Sequence, residues 1–485
     1  MEKKKIAMDL NFAVFLYLYI PILIFLCGWI KFHFSIPAVA LIFWVIYKMS
    51  GTDAGDKFEL FTKKGLLVLL GCAAFLLLWC VLSGLGAFTV QSSDWGKHNV
   101  LLEDLVSYDW PVRYGFHGGG VMDYYIAGYL FPALLGKMLG GIRSAEIALL
   151  LWTWLGLILT CVGIYAFLGC KKAWKLILIC VSLFLFSTFI VPMSGVYQIL
   201  RPEDLSGDGY MWLSFDIKAQ YSSNITLLRW VFPQFVPTAV GMVGLLINKD
   251  KVENWGIFCA PIILYSTFCF VGMAALAGVL YFVGLYKCKD KKEYASKTFH
   301  WKNLCSLAVG ALLCIYILGN VLQPKPEDVA MQFGLMDYSG NVVFLIVFQL
   351  SWMLWCFILL KRERKNELMY CAGLVLFLLP FFFYGMYNDL VMRSSIPALF
   401  VIYVLVAKNI VDSENDKFYR NLLIGCLVLN SVGSVNELVQ AAKASNGYEA
   451  NKFKYMSSEE FMTGAFGWQY VNWNEEDSVV RWIMK

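Results

Sequence analysis

The stretch YYIAGYLFPALLGKMLGG, residues 124–141, decides the topology of this chain, because every later segment changes side if it crosses a membrane. It has nearly the length of a span, but Gly128, Pro132 and Gly136 interrupt it. Tyrosine is typical of the headgroup level of a bilayer, where an apolar helix can lie without crossing. The stretch is therefore predicted to be an interfacial helix, and the segments before and after it stay on one side.

Composition places the chain among polytopic membrane proteins. Of its 485 residues, 59% are hydrophobic and 15% are charged, and the mean hydropathy is +0.62. Ordinary soluble domains carry about 25% charged residues. The predicted fold class is an all-α, polytopic transmembrane helical bundle of about 13 spans, with interfacial helices in an outward first loop. The predicted spans are 10–30, 34–50, 65–84, 145–168, 174–193, 229–247, 255–270, 271–287, 302–322, 342–360, 368–386, 394–410 and 421–438.

Lysine and arginine orient the spans. With a cytoplasmic N-terminus and an extracytoplasmic C-terminus, 25 of the 40 basic residues fall in cytoplasmic segments, as the positive-inside rule expects. A crossing at 124–141 would instead place KKAWK (171–175) and CKDKKEYASKTFHWK (288–302) outside. Because the basic residues collect in short loops, the net charge of +5 does not indicate nucleic-acid binding. MEKKKIAMDL precedes a run of spanning length, so no cleavable signal peptide is expected.

The topology divides the chain into three parts. None of its 14 cysteines falls in a loop predicted to lie outside, so no disulfide framework is expected there. The parts are an extra N-terminal hairpin (1–50), a transmembrane core (51–438) with outward loops 85–144, 194–228 and 323–341, and a short extracytoplasmic tail (439–485).

The first outward loop contains the strongest candidates for chemistry. In FTVQSSDWGKHNVLLEDLVSYDWPVRYGFHGGGVMD, residues 88–123, Asp94 follows the third span closely. Asp94 is a candidate general base for an acceptor hydroxyl, with Lys97 and His98 binding phosphate or orienting the base. The alternative is that Ser92, Ser93 or Asp94 caps a helix whose polar residues form a solvated face.

Two further segments offer polar groups near predicted spans. In YNDLVMRSSIP, Arg393 suits a lipid phosphate because guanidinium binds phosphate oxygens bidentately, but an Asp389–Arg393 ion pair capping a helix is equally compatible. In the loop 201–230, Arg229 opens a span and residues 221–226 offer hydroxyls and an amide for a sugar. Asp204, Asp208 and Asp216 are acidic alternatives there, whereas Glu327, Asp328 and Asp337 are interpreted as a solvated loop.

The arrangement resembles the GT-C superfamily of membrane glycosyltransferases. The resemblance is clearest over residues 65–193 and includes DYYIAGYLFPALLGKMLGGIRSAEIALLLW, in which a YY-containing interfacial helix leads into a span. YSSNITLLRWVFPQFVP (221–237) and NDLVMRSSIPALF (388–400) are similar to segments of uncharacterised bacterial membrane proteins near this superfamily. The chain departs from the family in having Asp94-Trp95 where several members have paired acidic residues, and in two extra N-terminal spans. The large soluble C-terminal domain of some members is not expected here.

The resemblance implies an inverting transfer of a sugar from a polyprenyl-phosphate carrier on the outer face of a bacterial cell membrane. The acceptor would be a cell-envelope glycan, a lipid or a protein. Asp94 would be the catalytic carboxylate, and Arg393, Arg229, Lys97 and His98 would bind the lipid phosphate of the donor. The acceptor or sugar contacts would be Glu103, Asp104, Tyr124, Tyr125, Asn224, Asn388 and Asp389.

Two other functions stay open, as does metal dependence. In a transporter or flippase for a lipid-linked or small polar substrate, Asp94, Asp389 and Arg393 would line a pathway, although no internal repeat is evident. A noncatalytic subunit of polysaccharide assembly is the third possibility. No cofactor is assigned, and because some family members use a divalent cation, Mg²⁺ or Mn²⁺ remains a candidate.

Overall fold

The computed structural model describes residues 7–50, 57–59, 63–204, 207–215, 217–326, 333–385, 387–444, 457–464 and 467–485. Asp216, Glu327 and Asp328 lie outside the described residues. Most of the described chain is helical. The helices are α1 (Leu10–Trp29), α2 (Phe32–Ser50), α3 (Lys63–Leu82), α4 (Trp95–Ser107), α5 (Ala127–Leu139), α6 (Ile142–Phe167), α7 (Lys175–Leu185), α8 (Ile190–Leu200), α9 (Asn224–Ile247), α10 (Trp255–Cys259), α11 (Ile262–Tyr265), α12 (Thr267–Lys287), α13 (Lys291–Thr298), α14 (Trp301–Leu322), α15 (Val342–Glu363), α16 (Glu367–Leu378), α17 (Asp389–Ser394), α18 (Ile396–Asp412), α19 (Lys417–Lys443), α20 (Ser458–Met462) and α21 (Val480–Ile483).

Ten helical segments of the described chain are long and apolar enough to cross a membrane, which agrees with a multi-pass membrane protein. Two of them join neighbouring helices, α7 with α8 and α17 with α18. The other three predicted spans correspond to the shorter apolar segments Phe32–Lys48, Val252–Tyr265 and Glu367–Phe381. The prediction of a helical membrane protein is therefore confirmed, while the count of 13 spans stays a prediction.

The stretch that decides the topology forms α5, which packs against α4, α6 and α1. Its 13 residues extend about 20 Å, less than the roughly 30 Å of a hydrocarbon core. Gly140 ends the helix in the left-handed conformation (φ 104°), which glycine adopts without steric cost. The observed length is compatible with the predicted interfacial helix.

The predicted boundary between the spans 255–270 and 271–287 is displaced. Ser266 is extended (φ −172°, ψ 110°) and its side chain caps α12, so the break precedes Thr267. The first arm consists only of a 3₁₀ turn, α10 and α11. The Val252 carbonyl accepts a hydrogen bond from Asn303 at the start of α14 (3.0 Å), so the segment returns to the side from which it leaves, as a hairpin does.

Contacts between loops divide them into two groups, and these match the sides that the charge rule predicts. In one group, Ile30 pairs with Met484, and the Lys31 ammonium donates to the Arg481 carbonyl (2.7 Å). In the other, Lys172 pairs with Glu414 (2.8 Å). Further contacts in that second group are Asn248 to Asn11 (2.8 Å) and Lys361 to Asp416 (2.7 Å). Which group faces the cytoplasm stays a prediction.

Seven short strands accompany the helices in the described part of the chain, a departure from the all-α prediction. They are β1 (Ala7–Asp9), β2 (Lys57–Glu59), β3 (Arg113–Tyr114), β4 (Gly120–Met122), β5 (Gly334–Leu335), β6 (Phe382–Phe383) and β7 (Val471–Asn472). They form the antiparallel sheets β1-β2, β3-β4-β7 and β5-β6. Strands of two or three residues show no alternation in a sequence. The sheet β3-β4-β7 matters most here, because it joins the C-terminal tail to the first loop through the pairing of Val121 with Asn472.

Candidate functional site

A cavity of about 620 Å³ lies where the first loop, the segment before α9, α17 and the C-terminal tail meet. Its volume is within the range of about 300–1,000 Å³ typical of small-molecule sites. The wall combines charged, neutral polar and aromatic groups. The lining residues are Ser93, Asp94, Gly96, Lys97, Met211, Trp212, Gln220, Ser222, Thr226, Leu227, Trp230, Val231, Tyr387, Asp389, Met392, Arg393, Glu460, Phe461, Gly464, Gln469 and Tyr470.

Asp94 lines this cavity at the start of α4. It occupies the N-cap position, but its side chain makes no capping hydrogen bond and forms an ion pair with Lys97 instead. Burial alone would raise the pKa of Asp94, but the adjacent Lys97 ammonium outweighs burial and holds the pKa below its ordinary value. A carboxylate that is ionised at neutral pH and reaches the cavity can accept a proton or bind a cationic group.

Arg393 lines the same cavity from α17. Its guanidinium pairs with Asp389 one turn earlier (3.0 Å) and donates to the Tyr125 hydroxyl (2.8 Å). Guanidinium has five N–H donors, and the Nε–H has no hydrogen-bond partner among the described residues. The ion-pair and the ligand-binding interpretations of Asp389–Arg393 are thus compatible, because the pair exists and both residues line the cavity.

His98, one turn after Asp94, does not line the cavity. Its Nε2 lies 2.9 Å from the Trp230 carbonyl and its Nδ1 lies 2.5 Å from the Tyr129 hydroxyl. A carbonyl only accepts, so Nε2 carries the proton and Nδ1 accepts from Tyr129. Burial, reinforced by the Lys97 charge, lowers the pKa of His98 to about 3. The ring is therefore neutral, has no free nitrogen for a phosphate, and instead holds α4 against α5 and α9.

Arg229 also lies outside the cavity lining, although its neighbours in α9 contribute to it. The guanidinium pairs with Glu437 of α19 (3.1 Å) and donates to the Val90 carbonyl (3.1 Å). Trp230 donates to the same Glu437 oxygen (2.7 Å). Both charged side chains are about nine-tenths buried, at 7% and 11% exposure. Arg229 thus connects α9, α19 and the first loop.

Asp104 and Asp123, two acids of the first loop, do not line the cavity. Asp104 accepts hydrogen bonds from Tyr114 (2.7 Å) and from Ser458 at the start of α20. Burial raises the pKa of Asp104 to about 6. Burial also raises the pKa of Asp123 well above its usual range. Glu103, on the opposite face of α4, is exposed.

The remaining predicted contacts support the backbone near the cavity. The backbone N–H of Tyr124 donates to the Tyr316 hydroxyl (3.2 Å). Asn224 begins α9 and donates to the Leu183 carbonyl (2.8 Å). Asn388 adopts a left-handed conformation (φ 52°) and donates to the Phe382 carbonyl (3.2 Å), which shapes the turn before Asp389.

The structure adds lining residues that the sequence did not single out. Glu460, Phe461, Gln469 and Tyr470 belong to the tail, which the sequence predicted only as a short segment beside the other loops or the membrane. Gln220 lies in the segment before α9. No local motif marks these positions, and long-range contacts such as the β4–β7 pairing and the Asp104–Ser458 hydrogen bond bring the tail to the cavity. Within the predicted sugar-contact segment 221–226, the lining residues are Ser222 and Thr226.

Three carboxylates line the cavity, those of Asp94, Asp389 and Glu460. Asp94 and Asp389 are each paired with a cation, which leaves Glu460 as the unpaired lining carboxylate within the described chain. Divalent cations of this kind take several oxygen ligands. The described residues contain no group of three or more histidine, cysteine, aspartate or glutamate side chains that could hold a metal ion.

Comparisons with models of known protein families, with curated proteins and with solved structures give no match for this chain.

Proposed function

We propose that the protein is an integral membrane glycosyltransferase that transfers a sugar from a polyprenyl-phosphate carrier to a hydroxyl acceptor. One observation carries this proposal: Asp94 with Lys97, and Asp389 with Arg393, line the same cavity although nearly 300 residues separate the two pairs. A base and cations in one water-accessible cavity are what the displacement of a phosphate by a hydroxyl requires.

In the proposed reaction, Asp94 accepts the proton of the acceptor hydroxyl. The hydroxyl oxygen attacks the anomeric carbon of the donor sugar as the bond from that carbon to the phosphate oxygen breaks. The polyprenyl phosphate leaves with the bonding electrons, and the configuration at the anomeric carbon is inverted. Asp94 is ionised at neutral pH, as a proton acceptor must be.

The leaving phosphate develops negative charge, which Arg393 and Lys97 are positioned to stabilise. Both cations are mostly buried, with side chains 8% and 10% exposed, so water screens their charge less than it would at a surface. The reaction as written has no step through a metal ion, and metal dependence stays a separate question for experiment.

The apolar part of the wall fits a lipid carrier. Leu227 and Val231 lie on α9 and Met392 on α17, within segments that are long and apolar enough to cross a membrane. The first isoprenoid units of a carrier would extend along these side chains while its phosphate stays near Arg393. This placement requires no polar group of the carrier to enter the hydrocarbon region.

The direct test is transfer by purified protein in lipid nanodiscs, with a polyprenyl phosphate that carries a tritium-labelled hexose. We expect Asp94→Asn to lower the rate of transfer by about 10²–10⁴-fold, the usual contribution of a general base, without loss of folded protein. Asp109→Asn, an exposed aspartate of the same loop, is the matched control and should retain the wild-type rate.

Full activity of Asp94→Asn would remove Asp94 as the base. Movement of the labelled lipid across sealed vesicles without cleavage of its glycosidic bond would indicate a transporter instead. If cells with Asp94→Asn make their polysaccharide normally while deletion of the protein abolishes it, the protein is a noncatalytic assembly subunit.

A further inference from the structure

Neutral polar side chains form another part of the cavity wall. Gln220 is 6% exposed and Ser222 is 3% exposed, and both line the cavity. The Ser222 hydroxyl has no hydrogen-bond partner among the described residues. A buried polar group without a partner costs free energy, about 1–3 kcal/mol, so the Ser222 hydroxyl is better satisfied when a polar ligand is present.

The tail completes this set from the other side. Gln469 and Tyr470 precede β7, and Glu460 and Phe461 lie on α20, which contacts α4. Both tail segments are fixed to the first loop, α20 by the Ser458–Asp104 hydrogen bond and the other by the pairing of β7 with β4. The cavity therefore has amide, hydroxyl, carboxylate and aromatic groups on elements held in place by the rest of the fold.

The distribution of charge in the cavity favours a phosphate near Lys97 and Arg393 and an uncharged group near Glu460. Lys97 and Arg393 provide the positive charge for a phosphate, and each already has a carboxylate partner. Glu460 forms no ion pair with a described residue, so the tail adds negative charge only. An anionic group beside Glu460 would be repelled, whereas a hydroxyl would find an acceptor.

We propose that Gln220, Ser222, Glu460 and Gln469 form a subsite for an uncharged sugar ring and discriminate against sugars that carry a carboxylate. Amides and hydroxyls both donate and accept, as sugar hydroxyls do, and Phe461 and Tyr470 offer aromatic surface for the C–H face of a ring. The inference rests on the proposed function, which supplies two sources for this chemistry: the sugar of the lipid-linked donor and the terminal sugar of the acceptor.

Binding can be measured without transfer. The full-length protein in nanodiscs is titrated with methyl hexosides and with the corresponding methyl uronates, with no lipid donor present, and binding is followed by saturation-transfer NMR. We expect the neutral glycosides to bind more tightly than the uronates, and Gln220→Ala to weaken neutral binding about tenfold, the loss of one or two hydrogen bonds. Gln349→Ala, a buried glutamine outside the cavity, should leave binding by the folded protein unchanged.

Glu460→Gln tests the charge directly, because it keeps the shape of the side chain. It should tighten uronate binding about two- to fivefold, as expected for one exposed charge, an effect that general loss of structure would not produce. In transfer assays, a raised KM for the acceptor in Gln220→Ala would assign the subsite to the acceptor sugar, and a raised KM for the donor would assign it to the donor sugar.

Absence of glycoside binding by the wild type, equal or tighter binding of uronates, or wild-type binding by Gln220→Ala would each overturn the subsite. The proposed function fails separately: Asp94→Asn should still bind glycosides, and a wild type that binds glycosides but transfers no sugar would retain the subsite without the enzyme.

Discussion

Arg393 and Arg229 are the two arginines that the sequence suggested for the lipid phosphate, and their surroundings differ in a way that separates binding from structure. Arg393 lines the cavity and pairs with Asp389, which also lines it. Arg229 points away from the cavity toward Glu437 and two backbone carbonyls. Both arginines are buried, so burial alone does not distinguish them. What distinguishes them is whether their partners face a space that a ligand can enter.

The same contrast applies to the groups near each arginine. Asp94 and Lys97 line the cavity with Arg393, whereas the ring nitrogens of His98 and the Arg229 guanidinium are bonded within the protein. Lys97 and Arg393 line the cavity with their carboxylate partners, so a ligand phosphate would join two existing ion pairs. To bind at His98 or Arg229, a ligand would have to displace hydrogen bonds that hold α4, α9 and α19 together.

The largest expected effect on stability is at Arg229. Arg229→Ala leaves Glu437 buried without its cation, and we expect the free energy of unfolding to fall by about 3–5 kcal/mol. The double variant Arg229→Met/Glu437→Leu removes both charges and should recover most of that loss. Unfolding in mixed SDS micelles, followed by circular dichroism, measures both.

Arg362→Ala is the matched control for this arginine. Its pair with Asp416 is longer (3.4 Å) and about one-third exposed, so the free energy of unfolding should change by less than about 1 kcal/mol. A loss at Arg229 no larger than the loss at Arg362 would show that the Glu437 pair is not structural.

A smaller, pH-dependent effect is expected where the tail is anchored. The pKa of Asp104 is about 6 in the folded protein, above the ordinary value of 3.8, so the folded state keeps this proton when the unfolded state has lost it. The stabilisation from Asp104 is therefore complete below about pH 4 and is lost as the pH rises through about 6. Asp104→Asn cannot ionise and should lack this dependence.

The free energy of unfolding of the wild type and of Asp104→Asn, measured at pH 4.5 and pH 7.5, shows the effect of titrating the Asp104 carboxyl alone. We expect the wild type to lose about 1–3 kcal/mol of stability relative to the variant between these values. Parallel pH profiles for the two proteins would contradict the burial of Asp104 under the tail.

The sequence predicts some of these features and not others, for physical reasons. Apolar runs and basic loops predict a membrane bundle because a bilayer imposes length and charge rules on each segment separately. Asp94 and Arg393 could be singled out because charges close to apolar runs are costly without a partner or a function. The partner of Arg229 could not be predicted, because Glu437 follows 208 residues later and no local pattern connects them.

The contribution of the tail to the cavity could not be predicted from the sequence, for a related reason. Val471–Asn472 is too short to show a strand pattern, and its pairing with Gly120–Met122 joins segments about 350 residues apart. The lining positions Glu460 and Gln469 depend on that pairing. Their contribution to the cavity therefore requires the fold, while the contribution of Asp94 could be proposed from its position after a span.

The most direct test of the central claim is the affinity of the two arginine sites for polyprenyl monophosphate without a sugar, measured in nanodiscs. If the cavity binds the carrier phosphate through Arg393, Arg393→Ala should weaken binding about 10–100-fold, the loss of charge-assisted hydrogen bonds. Arg393→Lys, which keeps the charge beside Asp389, should weaken it less. Arg229→Met/Glu437→Leu should bind as the wild type does. Wild-type affinity in Arg393→Ala, or an equal loss in the Arg229 double variant, would contradict the claim.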